Sequence, residues 1–220
     1  MKKAMFIFLL ALVSITGWSQ EFAQDVAGRP YQVNQYMDIE GSPFFIDGWS
    51  KGIIYMKDGS KAEIFQLQLD LYLGQLLFKH NEQALIVENP VKEFVLQPAT
   101  GVQYLFRNGY QSIDKNNAAT WYQVLQDGPV SLVKQVKKVL QEKNEYNAAT
   151  KSKSFSIVET LYIVKADGSL VKVKKDKSSL LDALADKKEL LNRFIEKEKL
   201  RVKNEDDMKA IVKAYNENAG

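Results

Sequence analysis

Few side chains in the sequence have the chemistry that catalysis or metal binding requires. The 220 residues include no Cys and a single His. The absence of Cys excludes disulfides, thiol catalysis and Cys-ligated zinc or iron–sulfur centres, and one His makes a His-based metal site or a Ser-His-Asp triad hard to assemble. His80 precedes Asn81 and Glu82, which is typical of a solvated turn. The sequence therefore predicts no catalytic residue, no metal ligand and no cofactor.

Carboxylates are the remaining residues that could perform hydrolysis. A glycosidase needs two of them facing one cleft, about 5 to 9 Å apart, and Asp47, Asp58, Glu63 and Asp70 fall in one strand-rich region. A turn explains Asp58, and Asp70 lies on the polar side of an alternating strand. Because acidic side chains are mostly exposed, we interpret these residues as structural. The sequence favours a protein without catalytic activity and leaves a hydrolase with paired carboxylates as the alternative.

Aromatic side chains are concentrated between residues 44 and 122. Aromatic residues favour strands, so an ordinary sheet core explains them. The functional alternative is a pocket for an apolar ligand, because a curved sheet can enclose one. The candidate lining residues are Trp49, Phe65, Phe78, Phe94, Phe106 and Trp121.

Basic residues recur on two later predicted strands. Lys134 and Lys138 share one strand face, and Lys172 and Lys174 belong to the second strand. If the strands were adjacent, these four lysines would form a surface for an anionic partner such as lipid head groups or acidic glycans. The alternative is that they provide solubility and protect edge strands from pairing.

The N-terminus has the pattern of an export signal. Lys2 and Lys3 precede an apolar run over residues 4–13, and Gly17 and Ser19 occupy the −3 and −1 positions of a cut before Gln20. The apolar run is about ten residues long, too short to span a bilayer as a helix. The sequence therefore predicts that residues 1–19 are removed and that the mature chain, without a transmembrane segment, is periplasmic or secreted.

The elements that must position these side chains are mostly strands. With 45% hydrophobic residues and a net charge of +3, the chain is globular and only weakly basic. We interpret residues 20–43 as an extended lead-in. Residues 44–175 alternate β-prone runs with turn signals such as Asp58-Gly59 and Asp167-Gly168. This spacing predicts an antiparallel β meander: a curved sheet, a sandwich or an open barrel. Residues 141–153 are polar and predict a loop.

The chain changes character after residue 175, and residues 176–220 predict two or three short amphipathic helices packed on the sheet. Ser178 is a candidate cap for the first of them. Asp186 with Glu189, and Asn204 with Asp207, have the spacing of capping pairs. One helical face carries Met208, Ile211, Val212 and Tyr215. The predicted fold class is α+β.

Several of these motifs resemble a group of secreted β-rich proteins of Bacteroidota that have a C-terminal helical segment. The resemblance covers most of the mature chain and implies export and a β-plus-helix fold. It carries over no functional residue, because the shared motifs are turns, strand starts and caps. They are Gly41–Phe45, Gly52, Lys57–Gly59, Asp70–Tyr72 before Leu76–Phe78, and the tail from Asp186–Leu190 to Tyr215-Asn216.

These observations predict an exported, non-enzymatic binding or interaction protein of the cell envelope. Its partner would be an apolar ligand or an envelope protein, and export argues against nucleic acid. Two alternatives stay open. One is an envelope hydrolase that uses paired carboxylates, and the other is an envelope assembly component that binds no small ligand.

Overall fold

The computed structural model describes residues 26–32, 36–144 and 151–218. The predicted signal segment, residues 1–19, and the first part of the lead-in lie outside these ranges. The described residues form twelve strands and three α-helices, with a 3-10 turn at Ala185–Lys187. The strands are β1 (Gly28–Pro30), β2 (Ile39–Glu40), β3 (Ser50–Met56), β4 (Lys61–Asp70), β5 (Gln75–His80), β6 (Gln83–Val87), β7 (Val91–Gln97), β8 (Tyr104–Arg107), β9 (Tyr122–Gln126), β10 (Ser131–Asn144), β11 (Lys151–Val164) and β12 (Leu170–Val173), and the helices are α1 (Lys177–Ala183), α2 (Lys188–Lys197) and α3 (Glu205–Glu217).

The strands form one open, mostly antiparallel sheet in the order β1-β6-β5-β4-β3-β7-β8-β9-β10-β11-β12. Strand β2 pairs with β11 in parallel. The Lys138 N–H donates to the Leu71 carbonyl at 3.2 Å, although four strands separate β10 from β4 in the sheet order. The sheet is therefore curled, and its inner face becomes a core. The predicted α+β class and antiparallel meander are confirmed, and of the three predicted forms the structure has the curved open sheet.

Short turns connect most neighbouring strands, as their sequences predict. Asn81 and Glu82 join β5 to β6 with φ values of 46° and 63°, and a two-residue type I′ hairpin turn requires positive φ at both positions. At the β3–β4 turn the Asp58 carboxylate accepts from the Ser60 N–H at 2.9 Å. The Asp167 carboxylate accepts from the Ser169 N–H at 3.0 Å in the same way.

The prediction of a loop over residues 141–153 is wrong at both ends. Strand β10 continues to Asn144 and β11 begins at Lys151, so that 14 residues of one strand pair with 14 of the other. Glu142 lies opposite Lys153, and oppositely charged neighbours stabilise a strand pair. The polar residues at 141–144 and 151–153 therefore form the end of a long pair of strands and not a loop.

The regular alternation of buried and exposed side chains in β4 fails at Phe65. Ser50 pairs with Leu67 but Gly52 pairs with Ile64, so β4 carries an extra residue, a β-bulge. The bulge places both Ile64 and Leu67 in the core and turns Phe65 outward, where 55% of its surface is exposed. The bulge therefore exposes Phe65, which the sequence predicted to line an apolar pocket.

The described residues form four hydrophobic clusters, and two of them contain most of the buried side chains. The first fills the curled sheet, where Phe94 and Phe106 stack with ring centroids 5.1 Å apart. The second lies between the helices and strands β10–β12 and contains Leu132, Ile163 and Met208, all fully buried. The apolar face of an amphipathic helix must be buried against another element. Here strands β10–β12 bury the apolar faces of the helices.

The helix starts follow the predicted capping only in part. Asn204 caps α3 by accepting from the Asp207 N–H at 2.8 Å, as predicted. Asp176, and not Ser178, caps α1 by accepting from the Ser179 N–H at 2.8 Å. Asp186 caps no α-helix, because it lies within the 3-10 turn that precedes α2. A run of Asp and Ser offers several possible caps, and packing selects one of them.

Asp70 fastens the N-terminal segment to the outer face of the sheet. The side chain is fully buried. One carboxylate oxygen accepts from the hydroxyls of Tyr31 and Tyr36, both at 2.8 Å. The other accepts from the N–H groups of Tyr72 and Leu73 at 2.8 and 2.9 Å. Four donors compensate for the loss of water around the charge. The side of β4 that carries Asp70 was predicted to face solvent, but the N-terminal segment buries it.

We predict that Asp70→Asn lowers the free energy of unfolding by ~3 kcal/mol, because one accepting oxygen becomes an NH₂ group facing two donors. Urea unfolding of the mature chain measures this loss. Asp58→Asn is the matched control, since Asp58 lies in an exposed turn, and it should change stability by less than ~0.5 kcal/mol. Equal stability of the two variants would contradict the assigned role of Asp70.

Burial and the hydrogen bond to Asp70 raise the pKa of Tyr36 well above its usual value. A tyrosine with a raised pKa in the folded state stabilises the fold below about pH 10, the pKa in the unfolded chain, and loses that contribution as the pH rises further. We therefore expect the free energy of unfolding to fall above about pH 10, and to fall less steeply in Tyr36→Phe. Urea titrations across this range measure both slopes; identical slopes would argue against the raised pKa.

Candidate functional site

Two adjoining cavities lie where the turn between β4 and β5 faces the segment 117–121. Their volumes are about 360 and 420 Å³. Gly74, Ala119 and Trp121 line both of them. We call the pair the Trp121 cleft, and we call its parts the 360 Å³ cavity and the 420 Å³ cavity. Volumes in this range are typical of small-molecule sites.

The indole of Trp121 packs against the core of the curled sheet. Its ring packs edge-on against Phe94, with centroids 4.8 Å apart and an interplanar angle of 77°. Phe94 is in turn stacked on Phe106. Because interior side chains are closely packed, this support fixes the indole between the two cavities before any ligand arrives.

Asp70 determines the wall of the 360 Å³ cavity. That wall runs from Leu69 to Gly74, and the opposite wall includes Gln135 and Lys137 of β10. The two hydrogen bonds from the N–H groups of Tyr72 and Leu73 to Asp70 fix the turn. The buried carboxylate therefore shapes the cavity but has all its strong acceptor positions occupied.

The 420 Å³ cavity combines apolar walls with two unusual polar atoms. Leu76, Val91 and Trp121 supply apolar surface. Gln75 and Asn108 also line this cavity. Their side-chain oxygens have almost no accessible surface and no hydrogen-bond partner among the residues that the structure describes. Because neither oxygen has accessible surface, a ligand in this cavity would contact other atoms of these two side chains.

The six aromatic residues predicted as pocket lining occupy four different environments. Phe78, Phe94 and Phe106 are buried in the core of the curled sheet. Trp49 packs on the outer face, beside the cluster of Tyr31, Leu77 and Ile86. Phe65 is exposed beside a separate cavity of about 270 Å³. Only Trp121, of the six, lines the Trp121 cleft.

Three of the four lysines predicted as an anionic-partner surface belong to strands, and they are divided between the two faces of the sheet. Lys134 pairs with Leu161, and Lys172 pairs with Tyr162. Because neighbouring residues of a strand point to opposite faces, Lys134 and Lys138 lie on one face of the sheet and Lys172 lies on the other. Lys172 is 3.7 Å from Asp114. Lys174 follows β12, and its N–H donates to Ser179. Separation by the sheet prevents these side chains from acting as one patch.

Lys134 has an internal ionic role. Its ammonium group contacts both carboxylate oxygens of Glu205 at 3.1 Å and lies 3.2 Å from Glu159. Lys175 also contacts Glu205 at 3.1 Å. Although burial raises the pKa of Glu205, hydrogen bonds from Lys175 and Lys134 lower it below its usual value. The network joins the first turn of α3 to β10.

The acids considered for hydrolysis are dispersed. Asp70 is enclosed by its donors, Glu63 lines the 270 Å³ cavity, Asp58 is in an exposed turn and Asp47 is exposed. Among the described residues, no group of three or more His, Asp or Glu side chains is placed to hold a metal ion. In the same part of the chain, no helix has the length and apolar character needed to cross a membrane.

Sequence reasoning missed the polar members of the cleft. Gln75 and Asn108 are separated by more than thirty positions, and neither belongs to a motif. A turn at Gly74 is a local feature, and it does not indicate which later segment faces it. Only the curl of the sheet brings the two amides to the same cavity.

Comparison with known proteins gives no relative for this chain. No protein-family model matches it, and no curated protein or solved structure is significantly similar to it.

We predict that Lys134→Met lowers the free energy of unfolding by ~2 kcal/mol, because it leaves the partly buried Glu205 without one of its two donors. Lys172→Met is the matched control. Its side chain is 59% exposed, and exposed ion pairs contribute less than ~1 kcal/mol. Thermal or urea unfolding measures both variants. A loss in Lys172→Met as large as that in Lys134→Met would contradict the network described for Glu205.

Proposed function

We propose that the chain is an exported, non-enzymatic binding protein of the cell envelope, and that it binds a small ligand in the Trp121 cleft. The observation that carries this proposal is an indole fixed by the core between two adjoining cavities. A rigid aromatic surface with polar groups at its edges is typical of ligand sites. Little rearrangement is needed for binding, because the core already holds the ring.

The positions of the acids support binding over hydrolysis. Asp70 adjoins the cleft, but its two oxygens already accept four hydrogen bonds. A general acid or a nucleophile must reach the reacting atoms of the substrate. Glu63 lies beside a different cavity, so the two leading carboxylates of the hydrolase alternative do not share a site.

The N-terminal pattern supports the envelope location. Lys2 and Lys3, the short apolar run and the small residues Gly17 and Ser19 are typical of a cleaved export signal. The resemblance to secreted proteins of Bacteroidota agrees with this location. A chain that works outside the cytoplasm would meet lipids, glycans and envelope proteins as its candidate partners.

The proposal predicts that the emission of Trp121 responds to an envelope component. Of the three tryptophans, Trp18 lies in the predicted signal, so Trp49→Phe leaves Trp121 as the remaining tryptophan of a chain that starts at Gln20. We expect a saturable change in its emission when one of two envelope extracts, total lipid or soluble glycan fragments, is titrated in.

Ala119→Arg places a long side chain where both cavities meet, and Ala119 is exposed, so folding should be preserved. This variant should abolish the response, whereas Ala166→Arg, in an exposed turn away from the cleft, should keep it. An unchanged emission with both extracts would overturn the proposal. So would chemical conversion of an extract component by the purified protein, if Glu63→Gln or Asp47→Asn removed it.

A further inference from the structure

We infer that residues 156–160 of β11 bind a short extended peptide segment of a partner protein, which joins the sheet as an added strand. This inference goes beyond the ligand site proposed at Trp121 and does not depend on it. Its basis is a gap along one edge of β11. Strand β10 pairs with the whole of the other edge. On the edge with the gap, β2 pairs up to Ser154 and β12 pairs from Leu161 onwards.

The backbone groups of Ile157 and Glu159 point into this gap. In an antiparallel pair, opposite residues alternate between hydrogen-bonding each other and pointing away from each other. Ile157 lies opposite Lys138, and the Lys138 N–H donates in the other direction, to Leu71. The pair is therefore not hydrogen-bonded, and the N–H and C=O groups of Ile157 point to the edge with the gap. Glu159 follows two positions later and points the same way.

The hairpin between β11 and β12 shows the same alternation. The N–H of Lys165, which follows β11, donates across the hairpin to the Ser169 carbonyl at 2.8 Å. Residues of β11 at even spacings from Lys165 therefore face this edge. Among the described residues, no backbone group hydrogen-bonds to Ile157 or Glu159 there. These two residues thus offer a row of N–H and C=O groups, which is what an added strand binds.

The side chains at the gap favour the addition of a strand. Ile157 is 58% exposed and Val158 is 36% exposed, and as neighbours they point to opposite faces of the sheet. Exposed sheet edges are usually protected by Lys, Pro or β-bulges. The sequence from Ser156 to Thr160 contains neither Lys nor Pro, and its pairing with β10 has no register shift. The edge is therefore regular, and it is apolar at its centre.

A short peptide segment fits this gap better than a second copy of the chain. Ser154 and Leu161 are ~23 Å apart along an extended strand, and β2 and β12 occupy the edge on either side. Because β11 of a second copy carries the same two flanking strands, they would collide if two copies paired through this edge. A segment of about five residues that enters and leaves the sheet by turns avoids the collision.

The residues at the gap define the chemistry of the peptide. Two consecutive peptide residues lie beside Ile157 on one face and Val158 on the other, so both should be apolar and preferably β-branched. The Glu159 side chain is partly exposed, which favours a basic residue opposite it. Pro is excluded where the peptide must donate to the edge. We therefore expect an extended segment in which a basic residue adjoins two apolar ones.

Hydrogen exchange in the mature chain tests the gap before any peptide is added. The N–H groups of Ile157 and Glu159 should exchange quickly, because no described residue accepts from them. Those of Val158 and Thr160 should exchange slowly, since they face β10. Equally slow exchange at all four would show that the edge is already covered and would overturn the inference. A dependence of that protection on protein concentration would identify a second copy as the cover.

The probe is a displayed library of random linear peptides of about ten residues, selected on the chain that starts at Gln20. Enriched peptides should carry the apolar and basic pattern, and a synthetic one should slow exchange at Ile157 and Glu159. N-methylation of alternate peptide residues tests strand pairing directly. Methyl groups on the N–H groups that face β11 should abolish binding, and methyl groups on the intervening residues should preserve it. Equal effects of the two patterns would contradict an added strand.

Two substitutions remove the site in different ways. Ile157→Pro deletes an N–H at the open edge and no bond to β10, and edge strands tolerate Pro at such positions. Ile157→Lys keeps the backbone and protects the edge with a charge. Each should weaken peptide binding about tenfold or more. Val102→Lys, at a loop residue that is 50% exposed, is the matched control and should bind normally, as should Ala119→Arg in the Trp121 cleft.

Three results of the binding experiments overturn the inference. The first is peptide binding that survives in both Ile157 variants. The second is a library that yields no peptide with a preference for the wild-type chain over Ile157→Lys. The third is peptide binding lost in Ala119→Arg, which would assign the peptide to the Trp121 cleft. The first two leave the function proposed for the cleft intact, because that function is tested with lipid and glycan extracts.

Discussion

The buried carboxylate of Asp70 connects two parts of the molecule that are distant in sequence. Its four hydrogen bonds join the N-terminal segment, through Tyr31 and Tyr36, to the turn at Tyr72 and Leu73. A charge removed from water is tolerated only when its acceptor positions are filled, so the tyrosines and the turn must stay where they are. This constraint covers the outer face of the sheet and fixes one wall of the Trp121 cleft.

The same turn also meets the far end of the sheet. Leu71 accepts from the N–H of Lys138, and the rings of Tyr36, Tyr72 and Phe155 pack against one another with centroids 5.4 to 5.8 Å apart. The hairpin of β10 and β11 is thereby held near the end of β4. These contacts keep the sheet curled, and Phe94 in the enclosed core supports Trp121. The helices stabilise the opposite end through a separate core and the Glu205 network.

Local signals in the sequence predicted the local structure. The Asp-Gly turns, the Asn204 cap and the stripe of Met208, Ile211 and Val212 depend on neighbouring residues, and the structure contains all of them. The bulge that exposes Phe65 and the burial of Asp70 depend on strands and segments far away in sequence. For the same reason, Trp121 could be named as a candidate from its residue type, whereas Gln75 and Asn108 could not be. Only the folded sheet places these two side chains beside the same cavity.

The most direct test of this account is the rate of hydrogen exchange at two backbone amides. If Asp70 fixes the wall of the cleft, the N–H groups of Tyr72 and Leu73 should exchange almost as slowly as those of the central strands, even without ligand, because exchange then requires the carboxylate to be released. Slow exchange in the wild-type chain and fast exchange in Asp70→Asn is the predicted result. Exchange of both amides in the wild-type chain as fast as at the exposed turn of Asp58 and Gly59 would contradict a preformed cleft held by Asp70.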